Sequence, residues 1–360
     1  MASSKSSIGI IGVGFGAQVH VPAFRSEGWD VAAICSRTRE KAQKAADEAG
    51  IPSVYTDPME LIRRDDLAAV AIITPPGAHH PLSIAALKAG KHVLCEKPFA
   101  LDAKQGEEML AAAEKSGKTA MIAHEFRHTP QRAYIRQLVA EDYIGKFQLC
   151  TMELFLDRYV SREPRPLTWQ AYKSEGGGLL GALGSHYIDG LRFWFGEIAS
   201  VTGWLAGLRP DMVDTATGKI VKAETDDTFS FMVTFKNGGM ATMTSSFAVT
   251  PSRGAKIAVM GERGTLIAEQ TGPNPTEDGV VVGSRDGSPL QALATPAKYT
   301  PLSDARDHRL AAFRLLVRDF NAGIDQGTSP APNFTDGLRC QEVLDAVRAS
   351  SESGRTIELA

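Results

Sequence analysis

Short apolar runs alternate with segments of strong helix formers through the first 125 residues. The runs typical of buried strands cover residues 8–12, 31–35, 67–73, 92–95 and 120–123, and helix-like segments cover 39–49, 82–89 and 102–116. A strand followed by a helix and another strand forms a crossover unit, and crossover units build parallel sheets. The pattern therefore predicts that the chain begins with a doubly wound α/β domain.

The pattern changes after about residue 125, where strand candidates follow one another. They cover residues 147–155, 201–208, 228–235, 240–247, 255–260, 265–268 and 356–359, with helix-like segments at 133–140, 178–195, 306–326 and 336–351. The turn signal Asn237-Gly238-Gly239 separates two of them and favours antiparallel pairing. A length of 360 residues suits two domains, which we predict to be residues 1–125 and 126–360.

Charge and cysteine content argue against several classes of function. The chain has 39 Lys and Arg against 42 Asp and Glu, a net charge of −3, and no basic stripe, so a nucleic-acid partner is not expected. No apolar run reaches membrane-spanning length, and the polar start lacks the apolar core of a secretory signal. The four scattered cysteines lack metal-ligand spacing. We expect a cytoplasmic protein that neither spans a membrane nor binds a metal ion.

A glycine-rich segment follows the first strand candidate and matches the pattern G-x-G-x-x-G/A. It reads Gly12-Val13-Gly14-Phe15-Gly16-Ala17. Gly12 allows a tight turn, Gly14 allows the backbone to approach a pyrophosphate, and Ala17 permits close packing of helix on strand. The helix that follows offers free N–H groups to phosphates. We predict a dinucleotide site here, although glycines after a strand also form plain turns.

The end of the second strand selects the cofactor. An Asp or Glu about 20 residues beyond the glycine loop binds the ribose 2′-hydroxyl of NAD. This chain has Ser36 and Arg37 there, and neither repels a 2′-phosphate. We predict NADP(H) as the preferred cofactor, with NAD(H) as the second option. Alternatively, Arg37 and Arg39 are solvated and the enzyme uses both cofactors.

Two further segments of the sequence indicate which family of proteins the chain resembles. The strand at 92–95 leads into Glu96-Lys97-Pro98, and the preceding strand leads into Thr74-Pro75-Pro76 with His79 behind it. The second segment is Gly176-Gly177-Gly178-Leu179-Leu180-Gly181-Ala182-Leu183-Gly184-Ser185-His186-Tyr187-Ile188-Asp189. Together with residues 334–359, these segments resemble the glucose-fructose oxidoreductase / inositol dehydrogenase family (Gfo/Idh/MocA) over nearly the whole chain.

The resemblance implies an N-terminal Rossmann domain and a C-terminal α/β domain with a large, mostly antiparallel, open-faced sheet. It implies NAD(P)-dependent oxidation or reduction at a carbinol or carbonyl carbon of sugars, cyclitols or related polyols. It also implies dimers or tetramers that pack through the open sheets. In this family the lysine and histidine of the two segments form the acid/base pair, which places that role on Lys97 and His186.

The remaining site candidates follow from position. Thr74, Pro75, His79, Glu96 and Lys97 lie after strands of the first domain, where a cofactor binds. The candidates for substrate binding are Glu125, Arg127, Trp169 and His186. An interdomain salt bridge is an equal alternative for Arg127, and core packing is an alternative for Trp169.

One departure from the family pattern affects the chemistry. Ala182 stands where the family has an Asp near the histidine. Either another acid substitutes (Glu125, Asp157 or Asp189), or Lys97 and His186 act without one, or turnover has been lost. We favour Glu125 as the substitute.

Three functions compete on these grounds. A dehydrogenase or reductase of a sugar or polyol is the leading hypothesis. A lyase or glycosidase that uses nicotinamide transiently is the second, and a noncatalytic NADP-binding sensor is the third. Reduced cofactor accumulates only with the first.

Overall fold

A computed structural model describes residues 6–160, 163–270 and 279–360, and these fall into two compact units. The first unit contains the chain up to Glu125 and the segment Asp304–Gln341. The second contains Phe126–Ser303 and Glu342–Ala360. The sequence analysis placed residues 304–341 in the second domain, whereas they belong to the first unit.

The first unit is built on a six-stranded parallel sheet. Its strands are β1 Ser7–Ile11, β2 Asp30–Cys35, β3 Ser53–Tyr55, β4 Ala69–Ile72, β5 His92–Cys95 and β6 Ala120–Ile122. Their spatial order is β3-β2-β1-β4-β5-β6, and every pair is parallel. The order reverses between β1 and β4, which is the switch point of a Rossmann fold. The predicted doubly wound sheet is confirmed.

Helices connect these strands and continue through the second half of the chain. In chain order they are α1 Val21–Ser26, α2 Arg39–Ala49, α3 Pro58–Ile62, α4 His79–Lys88, α5 Ala103–Ser116, α6 Pro130–Ala140, α7 Ser185–Phe195, α8 Leu310–Gln326 and α9 Phe334–Ser353. A π-helical turn, Gly16–His20, precedes α1, and another, Leu180–Gly184, precedes α7. Within the described residues, no helix is both long and apolar enough to cross a membrane.

The second unit contains a nine-stranded sheet and a smaller three-stranded one. The strands are β7 Phe147–Phe155, β8 Arg165–Pro166, β9 Ile198–Ala206, β10 Asp211–Val213, β11 Ile220–Lys222, β12 Thr228–Phe235, β13 Met240–Ser246, β14 Gly254–Gly261, β15 Gly264–Glu269, β16 Val281–Arg285, β17 Gln291–Ala292 and β18 Ile357–Glu358. The large sheet has the order β17-β16-β15-β14-β7-β13-β12-β9-β18. Its pairs are antiparallel except β13 with β7. The predicted, mostly antiparallel sheet is confirmed.

The two faces of this large sheet differ in character. Along β12, Phe229, Phe231 and Val233 are buried on one face. On the other face, Met232 is 40% exposed and Trp204 of the neighbouring strand is 52% exposed. Trp204 lies opposite Ser230 in the register, and hydroxyl side chains occupy much of the same face. This alternation is typical of a sheet that packs its core on one side only.

Helix α8 explains why residues 304–341 belong to the first unit. Its residues Phe313 and Phe320 are fully buried in a cluster with Ile8, Phe24 and Trp29. The rings of Phe320 and Trp29 stack at 6.1 Å between centroids. Aromatic side chains bury large areas, so this contact supplies much of the packing on one face of the parallel sheet.

Candidate active site

The glycine loop has the backbone geometry that the motif requires. Gly12 has a φ of +120°, and a side chain there would collide with the backbone oxygen of Ile73. Gly14 is exposed, and nothing lies within 4 Å of where its side chain would project. Gly16 packs closely instead, since a Cβ there would lie 3.1 Å from Ile10. The loop therefore leaves its backbone open to a ligand at Gly14 and is tight elsewhere.

The helical turn that follows the loop begins without a capping side chain. Gly14 and Phe15 already lie in the helix, and neither of them nor Val13 before them carries a side-chain acceptor that could cap its first N–H groups. Free N–H groups at the start of a helix donate hydrogen bonds to anions, and the phosphates of a dinucleotide are such anions. The predicted loop residues Gly12, Gly14, Phe15, Gly16 and Ala17 therefore lie in the turn after β1 and at the start of this helical segment.

The residues after β2 face solvent. Ser36 is half-buried and Arg37 is exposed. Two acids lie within electrostatic range of this strand end: after burial, Asp57 and Glu60 contribute to raising the pKa of Cys35 to about 12. Asp57 is already engaged, because it accepts a hydrogen bond of 2.8 Å from Met59 N at the start of α3.

Glu96 and Lys97 stand directly after β5. The Glu96 carboxyl is buried, its Oε1 lies 2.8 Å from His20 Nε2, and its Oε2 accepts from Lys97 N at 3.2 Å. Burial alone would raise the pKa of Glu96, but the hydrogen bond to His20 and the nearby charge of Lys97 outweigh it and lower the pKa. Glu96 is therefore an ionised carboxylate at neutral pH.

His20 was not among the residues predicted from sequence. It ends the helical turn after the glycine loop, is fully buried, and packs its ring 4.3 Å from that of Phe313. A lone histidine in a helix carries no recognisable signal. Only its position eight residues after Gly12, on the first turn beyond the loop, would have suggested a role.

His79 lies in the interior instead of facing a ligand. It is fully buried, its Nδ1 is 3.0 Å from Pro98 O, and its Nε2 is 2.9 Å from Thr74 O. Burial lowers its pKa against the effect of these carbonyls. The ring thus links the segment after β4 to the segment after β5. The hydroxyl of Thr74 is buried and has no hydrogen-bond partner among the described residues, which suits a ligand contact there.

Glu125 joins this cluster from the next strand. It follows β6, which pairs with β5, and its carboxyl is buried. Burial and then the charge of Glu96 raise its pKa to about 8, against the opposing effects of Lys97 and Arg309. The first unit therefore brings two buried carboxyls and one lysine together at the carboxyl ends of adjacent strands.

Arg127 forms an ion pair inside the second unit. Its guanidinium donates two hydrogen bonds, of 2.7 and 2.6 Å, to Asp189, and both side chains are buried. This pairing within one unit occupies both Arg127 and Asp189. It leaves Asp189 a poor substitute for the missing family acid.

His186 lies in the first turn of α7. It is buried and stacks on Phe126 with ring centroids 3.8 Å apart and an interplanar angle of 8°. Trp169 lies in a short 3-10 turn and is half-buried, and Asp157 is exposed beyond β7. These residues belong to the second unit, as does Ala182, which offers no carboxylate.

Asp226 is a second residue that sequence reasoning missed. Its Oδ2 accepts from Leu180 N at 2.7 Å, and a side chain at Gly178 would collide with its Oδ1. Burial raises its pKa to about 6, against the hydrogen bond from Leu180. It therefore holds the start of the glycine-histidine segment.

Comparison with known proteins identifies the family to which the chain belongs. The model of the oxidoreductase family with an NAD-binding Rossmann fold matches residues 6–124, and the model of its C-terminal α/β domain matches residues 136–359. The chain belongs to the Gfo/Idh/MocA oxidoreductase family. The resemblance read from the glycine loop, the Glu96-Lys97-Pro98 segment and the glycine-histidine segment is confirmed.

Relatives within the Gfo/Idh/MocA family match along the whole chain. The oxidoreductase sll0816 of Synechocystis sp. is 28% identical over 97% of this chain and 95% of that protein. The levoglucosan dehydrogenase of Pseudarthrobacter phenanthrenivorans is 26% identical over 96% of each. The crystal structure of an oxidoreductase domain protein from Kribbella flavida is 28% identical, with a TM-score of 0.88 over 99% of this chain and 100% of that chain.

Membership of the Gfo/Idh/MocA family makes the chain an NAD(P)-dependent oxidoreductase with an NAD-binding Rossmann domain, as predicted. The geometry of residues 12–17 fits such a cofactor independently of the match. The structure departs from the family pattern at Ala182 and places a carboxyl of raised pKa at Glu125.

Proposed function

We propose that this enzyme transfers a hydride between NADP(H) and a carbinol or carbonyl carbon of a sugar, cyclitol or related polyol. The observation that carries the proposal is the cluster of Glu96, Lys97 and Glu125 in the unit that holds the glycine loop. Ligands bind outside the carboxyl ends of parallel strands, and all three residues follow such ends.

The reaction in the oxidising direction is CH–OH + NADP⁺ → C=O + NADPH + H⁺. A bound nicotinamide would supply the hydride acceptor, so the protein's own residues would have to take up the hydroxyl proton. Lys97 donates a hydrogen bond to the reacting oxygen, and Glu125 receives the proton. A positioned acid or base contributes about 10²–10⁴-fold to such a step.

Glu125 replaces the acid that is absent at position 182. Because the pKa of Glu125 is raised to about 8, its carboxyl is mostly protonated at pH 7. It is therefore a proton donor for carbonyl reduction at neutral pH, and it becomes a proton acceptor for alcohol oxidation only at higher pH.

NADP(H) is the proposed preference, with NAD(H) as the second cofactor. Exposed Arg37 supports a contact to the 2′-phosphate, and Ser36 stands beside it. The carboxylate of Asp57 works against this preference, but its hydrogen bond to the α3 backbone already engages it.

The substrate class is supported by a relative. The levoglucosan dehydrogenase that is 26% identical to this chain bears a sugar derivative in its name. A levoglucosan dehydrogenase is also known in complex with NADH and levoglucosan. These relatives support our proposal that the substrate is a sugar or a related polyol.

The open face of the large sheet is the proposed oligomer interface. Exposed Trp204 and Met232 lie on adjacent strands there, beside many hydroxyl groups. We propose a homodimer or homotetramer, which light scattering of the purified protein tests.

Four buried, free cysteines support our proposal of a reducing, cytoplasmic location.

A panel of polyols and keto-sugars, assayed with both cofactors, tests the function. We expect reduced cofactor to accumulate with at least one polyol, and Lys97→Met to abolish this while the protein still binds cofactor. Product formation without net reduced cofactor would instead identify the lyase or glycosidase. Cofactor binding without any turnover would identify the sensor, which the loss of the acid at Ala182 favours.

A further inference from the structure

The glycine loop offers backbone N–H groups to a dinucleotide but no positively charged side chain. Residues 12–17 contain neither Lys nor Arg, and the next such residue along the chain is Arg25. Arg25 is already engaged at the end of α2, where it donates to the carbonyl oxygens of Ala49 and Gly50. Because both phosphates of a dinucleotide are negatively charged, a cation from elsewhere in the fold would strengthen binding at the loop.

Arg309 brings such a cation to the loop from a distant part of the sequence. It directly precedes α8, in the segment that belongs to the first unit, and its Cζ lies 5.0 Å from the centroid of the Phe15 ring. Phe15 follows Gly14, the loop position that is surrounded by open space. The guanidinium therefore lies beside the part of the loop that is left open to a ligand.

An ion pair holds the Arg309 side chain in place. Its Nε and Nη2 donate to the two carboxylate oxygens of Asp307, at 2.8 and 2.6 Å. Its Nη1 makes no hydrogen bond to any described residue, and the side chain is 28% exposed. The carboxylate of Asp307 weakens the attraction for an anion, but it fixes the guanidinium and so lowers the entropy cost of binding. Arg309 can thus present its remaining N–H groups to a phosphate.

The position of Phe15 indicates which of the two phosphates Arg309 faces. The Phe15 ring lies 5.6 Å from that of His20, and His20 Nε2 lies 2.8 Å from Glu96 Oε1. Glu96 follows β5, whereas the adenosine end of the cofactor belongs at the end of β2. Since β2 and β5 lie on opposite sides of β1 in the sheet, Phe15 and Arg309 lie on the nicotinamide side of the loop.

We infer that Arg309 is a cofactor-binding residue whose guanidinium donates hydrogen bonds to the nicotinamide-side phosphate of the dinucleotide. Phe15 supports the guanidinium through a cation–π contact, and Asp307 fixes its orientation. The inference uses the NAD-binding fold of the first domain, and it depends neither on the substrate nor on the proposed preference for NADP(H).

Calorimetric titration of the full-length enzyme tests the inference without turnover. ADP-ribose carries both phosphates of the cofactor, whereas AMP carries only the adenosine-side phosphate. Arg309→Met removes the charge and the N–H donors but keeps an unbranched side chain that can pack on Phe15. We expect the Kd for ADP-ribose to rise about 10- to 100-fold, as is typical for the loss of a hydrogen bond to a charged group. The Kd for AMP should stay unchanged.

Arg306→Met is the matched control. Arg306 has a similar local ion pair, because its Nε donates to Asp304 at 2.8 Å. Its Nη2, however, donates at 2.9 Å to Ser26 at the end of α1, and not to the loop. This substitution removes the same charge from the same unit, so the affinity for ADP-ribose should stay unchanged if Arg309 acts by direct contact.

An unchanged Kd for ADP-ribose in Arg309→Met would overturn the inference. Equal weakening of ADP-ribose and AMP would also overturn it, because the substitution would then disturb the whole loop. Equal weakening of ADP-ribose in Arg306→Met would reduce the effect to net charge and reject the contact. Thermal unfolding shows whether the variants fold. Should Arg309→Met not fold, Arg309→Lys keeps the charge without the planar fork, and it must weaken ADP-ribose but not AMP for the inference to stand.

Discussion

Arg37 makes the cofactor preference testable at a single side chain. Replacing it by Ala removes a charge-assisted contact, worth about 1.5–3 kcal/mol, to a 2′-phosphate. We therefore expect KM for NADP(H) to rise roughly 10- to 100-fold, with KM for NAD(H) unchanged. Lys44→Ala in helix α2, which begins two residues after Arg37, is the matched control, because Lys44 is 77% exposed and already paired with Glu48. An equal effect on both cofactors, or none, rejects the assignment.

Glu125 gives the reaction a pH dependence with opposite signs in its two directions. Since the pKa of this carboxyl is raised to about 8, the acceptor form grows as the pH rises through 8. Alcohol oxidation should therefore accelerate between pH 7 and 9, and carbonyl reduction should slow. Glu125→Gln should lower turnover more than tenfold and flatten both profiles, with cofactor affinity intact. Initial rates in both directions measure this, and an unchanged rate would show that another group carries the proton.

Individual residues differ in how visible they are in the sequence. Lys97 and Glu125 are predictable because each follows a recognisable strand, where the fold exposes side chains to a ligand. His20 and Asp226 are not, because their partners lie 76 and 46 residues away in the chain. His79 shows the reverse case: its position suggested a ligand contact, but full burial gives it two backbone carbonyls instead.

At the scale of an element, the glycine loop separates folding from binding. Gly12→Ala should destabilise the first unit, because it combines a φ of +120° with a collision at the Ile73 carbonyl. Gly14→Ala should leave the melting temperature nearly unchanged, since open space surrounds that position. We nevertheless expect Gly14→Ala to weaken cofactor binding at least tenfold by blocking backbone approach to the pyrophosphate. Thermal unfolding and calorimetric titration of both variants decide this, and full affinity in Gly14→Ala would contradict it.

Elements with a long pattern were predicted almost to the residue, and short ones were missed. Helix α2 and strand β12 match the predicted ranges, because each carries a full helical or alternating period. Strand β3 has three residues and helix α3 has five, which is too few to display a period. Strand β16 was also missed, since its Gly-Ser interior weakens the strand signal.

Burial of Glu125 should make the free energy of unfolding of the whole molecule depend on pH. Its folded pKa of about 8 exceeds its value of 4.5 in an unfolded chain, so the folded state binds the proton more tightly. The free energy of unfolding therefore falls as the pH rises from about 4.5 through 8, on the order of a few kcal/mol. Glu125→Gln should remove most of this fall between pH 5.5 and 8.5 in urea unfolding. The exposed Glu114→Gln is the matched control and should keep it.

The domain arrangement was only partly predictable. The change of pattern at residue 125 is visible because strand–helix alternation stops there. The inclusion of residues 304–341 in the first unit is not visible in the sequence. An amphipathic helix shows which of its faces is apolar, but not which element packs against that face.

The inclusion of residues 304–341 in the first unit determines when that unit can finish folding during translation. The parallel sheet is translated first, yet Phe313 and Phe320, which cover one of its faces, emerge from the ribosome nearly 200 residues after Glu125. At 5–20 residues per second, Ile8, Phe24 and Trp29 wait on the order of ten seconds or more for their last packing partners. During that interval the nascent chain presents an apolar surface that chaperones are suited to shield, so the nucleotide-binding half matures late although it is made early.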